Sequence, residues 1–93
     1  MIKEVCVENF TNVPLMIERG ADRIELNNDL SVGGTTPSFG VIKKTVEYAH
    51  KHDVPVIVMI RPRGGNFVYS EDELETMIND IQICSLLGVD GVT

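Results

Sequence analysis

Strand-like and helix-like runs of apolar residues alternate along this chain. Residues 3–8 read as a first strand, and residues Asn12 to Arg19 as a helix stopped by Gly20. Arg23 to Leu26 reads as a second strand, and Asn27 to Thr36, rich in Asn, Ser, Thr and Gly, as a long loop. Thr36-Pro37 supplies a cap and a first-position proline for a second helix, whose apolar face is Phe39, Ile42, Val46 and Ala49. Val54 to Ile60 is a continuous apolar run, as a strand buried on both faces requires. Ser70-Glu71-Asp72-Glu73 is a capping box that opens a third helix. That helix is expected to bury Leu74, Met77, Ile78, Ile81, Cys84 and Leu87, and Gly88 ends it. The junctions Gly20 to Ile24 and Gly88 to Val92 repeat one grammar of helix stop, turn and strand start, so a fourth strand opens at Gly91.

This order needs a parallel sheet with helical crossovers, and the class is α/β. A closed eight-stranded barrel takes on the order of 200 residues. The 93 residues are therefore expected to form the N-terminal part of a (β/α)8 TIM barrel: three βα units and the start of a fourth strand, in one truncated domain. Such a half-barrel exposes sheet edges and apolar surface, so a homo-oligomer is expected.

Composition narrows the partners. Hydrophobic content of 43% with 24% charge is that of a folded protein. A net charge of −6 argues against nucleic acid or an anionic membrane. Val54 to Ile60 is too short to span a bilayer, and Met1 to Val5 shows no apolar signal-peptide core. Two cysteines make no disulfide framework, and a cytoplasmic location is expected.

Side-chain alternation gathers the candidate chemistry. With Val5, Val7, Ile24 and Leu26 under the helices, Cys6, Glu8, Arg23, Glu25 and Asn27 face the barrel interior. Ile57, Met59 and Arg61 join them, with Arg63 and the loop Ser31 to Ser38 at the rim. Arg61 and Arg63 form an anion or carboxylate receptor, with Glu25, Asn27 and Ser38 beside it. Glu25 is equally a neutralising partner for Arg61, and the two roles are compatible. Gly33-Gly34 and Gly64-Gly65 are turns or a phosphate cradle. Cys84 reads as core, as does Cys6, although Cys6 beside Met59 would suit Cu(I). His50 and His52 sit at a helix C-terminus, away from the strand mouths. Tyr69 is a loop anchor or a ligand hydroxyl.

Three segments together carry a family resemblance: Ala21 to Leu26 (ADRIEL), Val32 to Ser38 (VGGTTPS) and Val58 to Ser70 (VMIRPRGGNFVYS). They resemble the CutC copper homeostasis family across nearly the whole chain. The resemblance implies a TIM barrel of roughly twice this length or more, a cytoplasmic protein, and copper handling through Cu(I) binding. It also implies a copper-ligating cysteine on the first strand, matched by Cys6, and in many members a second after the Arg-Ile-Glu-Leu segment. That second position is Asn27, a hard amide. Two functions follow. One is Cu(I) binding with Cys6 as principal ligand. The other is a small-molecule enzyme, or an inactive relative of one, that holds an anionic substrate through Arg61 and Arg63 and moves a proton with Glu8 or Glu25.

Overall fold

The structure is a computed structural model that describes all residues 1–93. Four strands and three helices alternate: β1 (Glu4–Glu8), α1 (Val13–Glu18), β2 (Arg23–Asn27), α2 (Phe39–Lys51), β3 (Val56–Val58), α3 (Glu71–Leu86) and β4 (Gly91–Val92). A 3-10 turn at Leu30–Val32 lies between β2 and α2. The strands pair in sequence order, β1-β2-β3-β4, and every pairing is parallel. Each crossover carries a helix, and crossovers of one hand with no reversal of strand order collect the helices on one face of the sheet. A doubly wound sheet would reverse its order. This is the winding of a barrel.

The alternation expected from sequence is observed. Val7, Ile24, Leu26, Val56 and Val58 are buried with Val13, Ile42, Val46 and Ala49. Cys6 and Glu8 are exposed, and Arg23, Glu25, Ile57 and Met59 are half-buried. β3 is shorter than the apolar run, yet ladder hydrogen bonding continues past it. Met59 N–H donates to Leu26 O and Ile60 N–H to Thr93 O, both at 3.0 Å.

Three expectations change. Ser38, not Thr36, caps α2: its Oγ accepts from Val41 N–H at 3.2 Å. Phe39 then lies on the first turn, 55% exposed, and Thr45 occupies the buried stripe with Ile42, Val46 and Ala49. The third correction concerns α3, which opens with the expected capping box but fully buries only Cys84. Met77 and Leu87 pack against the core, while Leu74, Ile78 and Ile81 are exposed. The reason is positional. Ile81 and Ser85 border a groove of about 160 Å³ with Gly91 and Val92 of β4, which is the edge strand of this sheet.

Candidate functional site

Register decides which inward side chains can meet. Cys6 lies opposite Glu25, Glu8 opposite Asn27, and Glu25 opposite Ile57. Cys6 Sγ donates to Glu25 Oε2 at 3.4 Å. Partial desolvation against the sheet face raises the pKa of the largely exposed Cys6, and the hydrogen bond and negative charge of Glu25, with a smaller push from Glu4, raise it further. The thiol is thus held protonated, whereas a metal binds the thiolate. Met59 is not beside Cys6, contrary to the sequence reading. β2 runs between their strands, and Ile57 is the residue in register with Cys6 across it. Met59 lies two residues farther along, so two strand spacings and a strand repeat separate it from Cys6 by about 12 Å.

Glu8 is a structural acceptor, since its Oε1 takes Leu30 N–H at 2.7 Å and so anchors the 3-10 turn to β1. Asn27 is 1% exposed. Its Nδ2 donates to Glu25 O at 3.2 Å, but its Oδ1 has no partner. Gly34 (φ +96°) presses on that oxygen so closely that an added Cβ would stand 2.4 Å from it. The 27–36 loop is thus folded back on the strand ends. Asn28 and Thr35 exchange both backbone bonds, at 2.9 and 2.7 Å.

This folding-back sets the fate of the arginines. Arg61 is 8% exposed and forms no ion pair with Glu25, against one of the two roles expected of it. Its Nη1 donates to Val32 O at 2.5 Å and Gly34 O at 3.1 Å, and its Nη2 to Gly65 O at 2.9 Å. Its Nε has no partner, and the Phe67 ring lies 5.1 Å from the guanidinium. Thr36 fastens the same strand end, accepting Arg61 N–H at 2.8 Å and donating its own N–H to Arg61 O at 3.0 Å. Every acceptor around this buried cation is a neutral carbonyl.

Arg63 is differently placed. Its Nε meets Glu73 Oε2 at 2.5 Å, its Nη1 reaches Gly64 O and Asn66 O, and its Nη2 reaches Val68 O at 2.7 Å. Glu73, the third residue of the capping box, also accepts Ser70 N–H at 2.9 Å. That backbone bond chiefly, then Arg63, holds the Glu73 carboxyl below its ordinary range. Tyr69 stacks at 5.1 Å from the Arg63 guanidinium, so it serves as a loop anchor. Of the expected anion receptor, Arg63 is neutralised and Ser38 is a helix cap. Arg61 keeps an uncompensated charge.

Sequence reasoning missed Glu73, whose capping role was visible while its second oxygen's partner was not. It also missed Asp90. Asp90 Oδ2 lies 2.7 Å from His50 Nε2 and accepts Val56 N–H at 2.8 Å, tying β3 to the turn before β4. This pair borders an open groove of about 310 Å³ at the N-terminal ends of the strands. No group of three or more His, Cys, Asp or Glu side chains is assembled anywhere to hold a metal ion.

Comparison with known proteins agrees with this geometry. The model of the CutC family matches residues 1–93. A CutC family protein of Enterococcus faecalis is 56% identical over 92 residues, 99% of this chain and 44% of that protein. The human copper homeostasis protein cutC homolog is 47% identical over 91 residues, 98% of this chain and 32% of its own. The crystal structure of CutC from Streptococcus agalactiae superposes with a TM-score of 0.95 at 46% identity, covering 99% of this chain and 44% of that one. The chain thus spans less than half the length of these relatives. Its four parallel strands are part of a TIM barrel.

Proposed function

The chain belongs to the CutC family, and from that premise we propose that it takes part in copper homeostasis in the cytoplasm and engages Cu(I) through Cys6. The observation that carries this reading is the placement of Cys6. It is the exposed thiol on the helix-free face of the sheet, whereas Cys84 is 1% exposed in the core. Two free cysteines also suit a reducing compartment. The donor set fits Cu(I) in part. A thiolate is the right soft ligand, but the adjacent Glu25 is hard and favours the protonated thiol. Position 27 stands one diagonal step from Cys6 on the neighbouring strand, near enough for a second ligand, yet here it holds an amide. This chain therefore contributes one sulfur.

The test is a Cu(I) titration against a competing chelator, on this chain and on Cys6→Ser. The reading expects one equivalent bound by the chain and lost in the variant; equal binding by both contradicts it. A second copy is the partner this reading expects, because β1 and β4 each leave a sheet edge unpaired and Leu74, Ile78 and Ile81 of α3 are exposed. Sedimentation across a concentration range should show dimer, and monomer throughout counts against it.

A further inference from the structure

The segment Gly64 to Val68 turns its carbonyls inward. Gly64 O and Asn66 O accept from Arg63, Gly65 O accepts from Arg61, and Val68 O accepts from Arg63. Every peptide bond is trans, and in a trans peptide the C=O and the following N–H point in opposite directions. The N–H groups of Gly65, Asn66 and Phe67 are therefore turned away from the guanidiniums. None of the three donates within the chain. Gly65, Asn66 and Phe67 are all exposed. Three successive peptide dipoles thus present their positive ends to solvent, with cations against their negative ends.

The charge count makes this turn unusual. Glu73 neutralises Arg63, and no carboxylate neutralises Arg61, whose Nε is also without a partner. Arg61 is thus a cation without an ion-pair partner behind outward-facing amides, although Glu71 and Asp72 stand exposed in the first turn of α3 and the chain's net charge is −6. A buried cation held only by neutral carbonyls calls for an anion, and outward amides are what recognise one.

We propose that the Gly65–Phe67 turn, backed by Arg61, is a binding site for a small oxyanion of the phosphate type. Oxygen atoms of the anion accept from the Gly65, Asn66 and Phe67 amides, and Arg61 supplies the field without direct contact. The site is separate from Cys6 and stands or falls independently of copper binding. It also reassigns the arginines: Arg61 is the electrostatic element, while Arg63 shapes the turn.

The experiment is an amide-resolved NMR titration of the 93-residue chain with inorganic phosphate and, separately, with a phosphate monoester such as phenyl phosphate. Chloride at matched ionic strength is the control. Saturable shifts centred on the Gly65, Asn66 and Phe67 amides support the site, and the tighter of the two ligands identifies the free or the esterified anion as its source. Arg61→Gln removes a through-space charge and should weaken binding by about tenfold. Should that variant fail to fold, Glu73→Gln carries the test. Glutamine keeps the capping bond to Ser70 and removes the offsetting charge, so phosphate should bind a few-fold more tightly. Shifts that chloride reproduces, that do not saturate, or that are unaltered in a folded Arg61→Gln or in Glu73→Gln overturn the proposal.

Discussion

The inner sheet face at Cys6 and the loop at Arg61 read as one cavity in sequence, but they are built on opposite terms. Cys6 has a single long hydrogen bond, to Glu25, and stays open to solvent. Arg61 is buried, with three hydrogen bonds to loop carbonyls that fasten the 32–34 and 65 segments to the end of β3. The difference shows that chemistry-bearing residues on one face of a sheet are not thereby one site. The partners each acquires decide whether it remains available. Substitutions in the loop should therefore cost stability, and substitutions at Cys6 should cost binding.

The largest expected effect lies where the loop touches β2. Gly34→Ala places a Cβ against Asn27 Oδ1 and forces a side chain into φ +96°, and should lower unfolding free energy by about 3 kcal/mol. Adding Asn27→Ala to that variant removes the clash and should restore part of the loss in chemical denaturation. Additive losses would mean that the contact does not hold the loop.

Arg61→Gln comes next, at about 2 kcal/mol, because carbonyls of Val32, Gly34 and Gly65 lose a charged donor. A loss no larger than that of Cys6→Ser would erase the proposed contrast. Asp90→Asn should cost about 1 kcal/mol, since Val56 N–H loses a charged acceptor. Burial opposes the charged form of Asp90, but hydrogen bonds from His50 and Val56 outweigh it and the pKa is lowered. A folded-state pKa below the unfolded one gives stability that is present above the ordinary carboxylate range and lost as pH falls through the folded value. Acid denaturation curves of Asp90→Asn should accordingly lack part of that loss.

The smallest stability effect belongs to Cys6→Ser, within about 0.5 kcal/mol for an exposed position. Glu25→Gln sharpens the other side of the comparison. Without the carboxylate charge the Cys6 thiol should ionise at lower pH, so its alkylation rate should rise at neutral pH. An unchanged pH profile would show that burial alone raises the thiol pKa.

Backbone periodicity explains what was legible in the sequence. Two-residue alternation placed Cys6 and Glu25 on the helix-free face because a strand has no other way to arrange them. Helical periodicity marked the stripe on α3, yet Leu74, Ile78 and Ile81 are exposed because periodicity says which residues share a face and not what covers it. The arginine network was hidden for a different reason. Its acceptors are backbone carbonyls of Val32, Gly34, Gly64, Gly65, Asn66 and Val68, which every residue type carries alike. Only loop conformation selects them. The expected neighbourhood of Cys6 and Met59 failed on strand order, since parity fixes a face without fixing a distance.

The proposal that Cu(I) binds at Cys6 is most directly tested by mapping Cu(I) onto the backbone amides by NMR under reducing, anaerobic conditions. The account predicts shifts centred on Val5 to Val7 of β1 and on Glu25 of β2, with Gly65 to Phe67 unmoved. Shifts centred on Cys84, or none near Cys6 at saturating Cu(I), would contradict it.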